Sequence, residues 1–198
     1  MLPKNLFWFF KKAISTSQVN KIIKICEKEK LDKANVHHNG KDIIENKTRD
    51  CGIRWTNDSK IYNIINPYIN TANKNAEWNY QIDWNETCQY TVYNKSQFYG
   101  YHVDSFQSPY TKHPNPNYLG KIRKLSMTLQ LSNKSDYTGG DFYFKYLTKD
   151  GVVEQKLKDA KTKGTLIIFP SYILHQVTSV TKGTRKSLVC WTLGFPFK

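Results

Sequence analysis

At 198 residues, with 39% hydrophobic and 14% aromatic side chains, the chain can bury one sizeable core, and wholesale disorder is excluded. No run of 18 apolar residues occurs, so no spanning helix and no membrane partner are expected. The formal charge of +14 is mostly lysine, since Arg49, Arg54, Arg123 and Arg185 are the only arginines among 30 basic residues. Without a Lys/Arg block of five or more it reads as a solvated surface, not a nucleic-acid patch.

The opening run MLPKNLFWFFKKAIS has a short apolar patch but lacks the charged, apolar, small order of a secretory signal, and reads as an ordinary first element. Ser15, Thr16 or Ser17 supplies the N-cap of a helix in which Val19, Ile22, Ile23 and Cys26 recur at helical spacing. Residues 40–56 are polar and read as a loop or irregular strand. A second helix is predicted from about Asp58 to Lys74, with Ile61, Ile64, Ile65, Tyr68 and Ile69 on one stripe and Pro67 kinking or breaking it.

From Trp78 the period changes to two. WNYQIDW, CQYTVY, FYGYHVD, IRKLSMTLQL, DFYFKYL, VVEQKL, GTLIIFP, LHQVTSV and SLVCWTLGF read as strands, separated by turns such as Tyr137–Gly140, Lys149–Gly151 and Thr181–Gly183. Short strands with tight turns indicate a sandwich or jelly roll. The Pro-containing stretch Ser105–Lys121 breaks the pattern and reads as a lid or binding loop. Cys26, Cys51, Cys88 and Cys190 show neither CxxC pairing nor zinc spacing. Cys26 and Cys190 are expected to be buried free thiols, and a cytoplasmic compartment follows as the default.

Candidate chemistry centres on His102-Val103-Asp104. On a strand, residues two apart share a face, so imidazole and carboxylate converge on one point. His175, 71 residues further on, opens another predicted strand and offers a third ligand. Two imidazoles and one carboxylate leave other coordination positions open and suit non-haem ferrous iron. Arg185 follows ten residues after His175. The turn at Thr181–Gly183 is expected to fold the two strands antiparallel and carry Arg185 into the same pocket. An arginine entering a β core needs an anion, and its planar fork suits a carboxylate, with Ser187 on the same face as a second donor.

The run from Tyr93 through YGYHVDS, LSMTLQLS, TGGDFYF and GTLIIFPSYILHQVTSVTKGTRKSLVCW, roughly residues 88–195, resembles the prolyl-4-hydroxylase-like Fe(II)/2-oxoglutarate dioxygenases. The resemblance implies an α+β, mainly β fold: a double-stranded β-helix (jelly-roll, cupin-like) core with N-terminal helices packed against it. One domain over 1–198 is expected, with helical support over 1–77 and the jelly roll over 78–198. It implies His102, Asp104 and His175 as iron ligands and Arg185 on the distal carboxylate of 2-oxoglutarate. Tyr93 reaches co-substrate or substrate, Gln130 or Thr128 stands where relatives often carry a co-substrate tyrosine, and Trp191 matches a pocket-wall aromatic. No catalytic side chain beyond the metal centre is implied.

The implied cofactors are Fe(II), 2-oxoglutarate and O2, with ascorbate as reductant. The implied reaction hydroxylates an unactivated C–H and releases succinate and CO2, with a proline in a protein or peptide as the leading substrate. The rivals are a free amino acid or other small molecule, a nucleic-acid demethylase of the AlkB type, which the lack of an arginine after Arg185 disfavours, and an inactive β-helix binding module. His37 and His38 are expected to be exposed, and Asp83 and Asp141 to be turn or edge carboxylates. Candidates for the substrate groove are the Ser105–Lys121 loop, with His113, and the segment from Arg49 to Trp55.

Overall fold

The computed structural model describes residues 3–34, 36–38, 41–43, 47–105 and 108–197. The first half carries strands β1 (Trp8–Phe10), β2 (Asp32–Lys33), β3 (Val36–His38), β4 (Lys41–Ile43), β5 (Arg49–Asp50), β6 (Gly52–Thr56), β7 (Trp84–Asn85), β8 (Cys88–Tyr93) and β9 (Phe98–His102). Strands β10 (Ile122–Gln130), β11 (Tyr137–Gly139), β12 (Phe142–Thr148) and β13 (Gly151–Lys156) follow. The last are β14 (Leu166–Pro170), β15 (Leu174–Val177), β16 (Val180–Gly183) and β17 (Arg185–Gly194). The two helices are α1 (Thr16–Cys26) and α2 (Ser59–Asn75).

The main sheet runs β1-β14-β10-β17-β8-β6-β2, with β7 on β17, and the smaller sheet runs β13-β12-β15-β9-β5. Their facing sides share one core, in which Phe142, Phe144 and Val177 of the small sheet meet Ile167, Phe169 and Tyr93 of the large one. This is the jelly-roll architecture, mostly antiparallel strand with two helices. The large sheet is covered on both sides. Along β14, Leu166 and Ile168 join the helix-side core while Ile167 and Phe169 join the core between the sheets. A strand buried on both faces therefore reads as an unbroken apolar run.

Helix α1 begins at a capping box, in which the Ser15 side chain accepts from Gln18 N and Gln18 answers the Ser15 backbone; Val19, Ile22 and Cys26 are buried. Helix α2 starts at Asp58 and buries Ile61, Ile65, Ile69 and Ala72. It stays helical through Pro67, so the predicted break does not occur: the sheet-facing isoleucines before and after Pro67 outweigh the single hydrogen bond that proline removes.

Three further expectations are corrected. The N-terminal third is not only helical, because β1 pairs with β14 and β6 pairs with β8 inside the large sheet. Of WNYQIDW only Trp84 is strand, as the first residue of β7. The Asn73 side chain holds both N and O of Tyr80, and Glu77 and Asn79 take positive φ, which turns the chain out of α2. The predicted turns at Tyr137–Gly140 and Thr181–Gly183 are instead largely the ribbon β11·β16. That ribbon needs glycine: a Cβ on Gly183 would lie 2.0 Å from Asp136 O, and one on Gly139 2.2 Å from Ser179 O, both at positive φ. His37 and His38 have side chains outside the described residues, as do Phe106 and Gln107 of the expected loop.

Phe144 is fully buried, stacked on Phe7 at 5.2 Å and edge-on to Phe142 and Phe169. Phe144→Ala is expected to cost about 3–5 kcal/mol in denaturant unfolding; a loss below ~1 kcal/mol would mean that the inter-sheet core is not the main source of stability.

Candidate metal centre and its pocket

His102 and His175 are direct partners across the β9·β15 ladder. The register slips between that pair and Val177↔Tyr99, leaving one extra residue on β9. Such a bulge re-aims side chains: Tyr99 and His102, three apart in sequence, both face inward and stack with centroids 3.4 Å apart. The strand ends at His102, so Asp104 lies just beyond it, and not on it as expected. Its convergence is secured by the chain opposite, where Ser171 O accepts from the backbone N–H of both Asp104 and Ser105.

The three ligand atoms lie within 4.8 Å of one another. Asp104 Oδ1 is 3.6 Å from His102 Nε2, and Oδ2 is 3.5 Å from His175 Nε2. Both separations fit within the span of two metal–ligand bonds of about 2.1 Å. Each imidazole Nδ1 sits 2.8 Å from a carbonyl two residues before it, Gly100 O and Ile173 O. Donating Nδ1–H there leaves each Nε2 lone pair aimed at the carboxylate, the tautomer a metal needs. Ser126 Oγ donates to Asp104 Oδ2 at 2.7 Å, with Ser171 Oγ 3.0 Å from it. Burial disfavours the Asp104 anion, but His175, His102 and Arg123 outweigh it and hold the carboxyl well below the usual range. Burial, then His102, pushes His175 down to about 4, so it is neutral at neutral pH. The donor set therefore fits a divalent transition metal.

Arg185 does not reach the pocket by a hairpin with His175, as expected: β15 and β17 belong to different sheets, and the guanidinium arrives across the inter-sheet space. On β17 the odd-numbered Arg185, Ser187, Val189 and Trp191 line the pocket, while Leu188 and Cys190 join the helix-side core. Arg185 is 3% exposed, donates to Ser187 Oγ at 3.2 Å and lies 5.4 Å from the Tyr93 ring. No ion pair joins it to a carboxylate among the described residues, whereas Arg123 is paired.

Thr128 and Tyr93 reach the pocket wall. Gln130 lies beyond that wall and donates to Tyr137 Oη and Ser132 O. Tyr137 packs beside Arg185 over Gly140, and the guanidinium charge acts on its phenol, a neighbour sequence reasoning missed. The pocket holds about 40 Å³ of open space, room for about three waters.

Around the mouth, Arg123 forks onto Glu86 at 2.7 and 2.6 Å, donates to Asp104 O at 3.4 Å and stacks on Trp191 at 3.9 Å. Trp55, largely exposed, tilts against Trp191 at 6.3 Å. Arg49 lies over Tyr99 at 4.5 Å and donates to Cys51 Sγ. Tyr110 of the proline-containing loop donates to Glu86 Oε1 at 3.1 Å, tying that loop to the site. His113 is spent within the loop, stacked on Tyr118 and accepting from Asn115 N. Asp83 pairs with the buried Lys121 and Asp141 with Lys156, both away from the triad. A signal for Ser126 was present: Ser126, Thr128 and Gln130 alternate with leucine and methionine in a strand with no solvent face. Nothing in sequence linked Glu86 to Arg123.

Residues 88–193 match the family model described as the 2OG-Fe(II) oxygenase superfamily. A PKHD-type hydroxylase of Alteromonas mediterranea is 43% identical over 101 residues, which cover 50% of this chain and 39% of that protein. The chain thus spans well under half the length of this curated relative. A Pseudomonas putida prolyl-4-hydroxylase superposes with a TM-score of 0.67 at 18% identity, over 96% of this chain and 92% of that one. A Trichoplax adhaerens prolyl hydroxylase, solved with a hypoxia-inducible-factor peptide fragment, gives 0.62 at 18% identity, over 96% and 84%. With the match covering just over half its length, the chain belongs to the 2OG-Fe(II) oxygenase superfamily, a family of Fe(II)- and 2-oxoglutarate-using enzymes among which its fold is that of the prolyl hydroxylases.

Proposed function

We propose that His102, Asp104 and His175 hold ferrous iron, that Arg185 grips the distal carboxylate of 2-oxoglutarate, and that the enzyme hydroxylates a proline in a protein or peptide. The observation that carries this is the pairing of a preformed neutral-imidazole and carboxylate triad with a buried arginine that has no acidic partner among the described residues. Leaving a guanidinium buried and unpaired costs on the order of several kcal/mol, so the pocket is built to receive an anion. The Trichoplax neighbour and its peptide support a polypeptide substrate.

When bound, iron and keto acid supply the oxidation: 2-oxoglutarate and O2 are consumed, succinate and CO2 leave, and one oxygen atom enters a substrate C–H bond, with ascorbate supporting turnover. The chain's own groups position and exclude. Arg185 and Ser187 fix the tail of the keto acid through charge-assisted hydrogen bonds, while Tyr93 and Thr128 bound its sides. Gln130 braces Tyr137, and through it Arg185. Phe169, Val189 and Trp191 keep water from the reacting space. The Gly100 and Ile173 carbonyls hold the imidazole rings, and Ser126 holds the Asp104 carboxylate.

His175→Ala is expected to abolish iron uptake and to reduce succinate formation to background. Arg185→Ala should retain iron and raise the 2-oxoglutarate concentration for half-maximal turnover by about a hundredfold or more; normal turnover by both variants would refute the site. Ser126→Ala should fold normally and weaken iron binding by about 10–100-fold in a metal titration, and an unchanged affinity would show that the hydroxyl does not hold the ligand. In peptide libraries, mass spectrometry is expected to find a gain of one oxygen at proline, and a gain confined to other residues would exclude the substrate reading.

A further inference from the structure

We propose that a second cleft, on the helix side of the main sheet, docks an extended proline-rich segment of the polypeptide substrate in polyproline II form. The inference rests on the peptide-substrate reading above and extends it to a site outside the iron pocket. The cleft lies between α2, β7 and the turn around Asn115–Tyr118, and at about 510 Å³ it has more than ten times the open space over the triad.

Its lining is chemically consistent. Asn57, Asn66 and Asn70 face the cleft from α2 and its approach, and Asn85 and Asn115 from the other side. Tyr62, Trp84 and Tyr118 add three aromatic rings, and Trp84 is 38% exposed. Asp83 is the only charged residue in the lining, and it is neutralised by Lys121 at 2.8 Å. A strongly charged ligand would find no counter-ion here.

The asparagines are not simply paired off. Asn85 Nδ2 donates to Asn66 Oδ1 at 2.8 Å, which leaves Asn66 Nδ2 and Asn85 Oδ1 without partners among the described residues. Exchanging the oxygen and nitrogen of both amides changes the names but still leaves a donor and an acceptor. A polyproline II segment has no internal hydrogen bonds, so its carbonyls all need donors, and its proline rings pack on aromatic faces. Spaced side-chain amides interleaved with Tyr and Trp supply both.

The cleft and the mouth of the iron pocket meet at the same end of the main sheet, on its two faces. Trp55 and Trp191 flank that mouth, while Asn57, two residues on, and Thr192, the next residue, line the cleft. A polypeptide with its reacting residue over the iron would reach the cleft by crossing that sheet end, past the loop that carries Tyr110 and Tyr118. The loop that walls the cleft with Asn115 and Tyr118 also reaches the iron-site arginine through Tyr110 and Glu86.

Calorimetric titration of decaproline into the full chain tests this, alongside Trp84→Ala and Asn70→Ala, two changes at exposed positions. Saturable binding that each variant weakens by about tenfold or more, with peptide-free succinate formation unchanged, is the expected result. For peptides with a proline-rich flank, Trp84→Ala should raise KM and leave kcat alone; for peptides without the flank it should change neither. No decaproline binding, binding indifferent to both variants, or a response to oligosaccharides but not decaproline would overturn the assignment. Decaproline binding through Trp84 without hydroxylation of any proline upholds the cleft and overturns the catalytic reading. Proline hydroxylation indifferent to Trp84→Ala upholds catalysis and overturns the cleft.

Discussion

An aspartate carboxylate buried between two imidazoles, with almost no solvent to spread its charge, is the constraint around which the two sheets are arranged. Asp104 survives there as an anion because the Ser126 hydroxyl donates to it and the guanidinium of Arg123 lies close, while the two Nε2 lone pairs that face it leave a place for a cation. Each of those neighbours arrives from a different place in the chain. The β9·β15 pairing sets His102 against His175, β10 brings Ser126 and Arg123, and the turn after β14 offers Ser171 O to two backbone amides. The inter-sheet register therefore sets the geometry of this cluster as well as the packing.

The bulge in β9 shows how local backbone geometry becomes chemistry. One extra residue against β15 puts Tyr99 and His102 on the same face and leaves the Gly100 carbonyl to hold His102 Nδ1. On the large sheet no bulge intervenes between Arg185 and Trp191. There the simple period of two carries a buried arginine, a serine and a tryptophan to one face, and leucine and cysteine to the helices on the other. The same strand thus serves the pocket and the structural core at once.

Two arginines in the site illustrate opposite uses of a buried guanidinium. Arg123 is saturated by Glu86 and capped by Trp191, which makes it part of the wall that shapes the mouth. Arg185 meets hydroxyls and ring faces and no carboxylate among the described residues, which is the observation behind its proposed role as a receptor for an anion. Composition cannot separate these two cases, because the difference lies in which partner the fold supplies.

The sequence alone determined the strand-rich second half, the two amphipathic helices, the His102/Asp104/His175 and Arg185 constellation, and the family it resembles. These features are local: a period of two, a cap, or a spacing along one strand survives in the linear order. It could not determine that β15 and β17 belong to different sheets, that Asp104 lies past the end of its strand, that β1 and β6 join the large sheet, or that Glu86, Ser126 and Tyr137 stand behind the ligands. Those facts depend on pairing between segments tens of residues apart. The free energy of such pairing comes from apolar area buried jointly by both partners, a quantity that neither segment carries by itself.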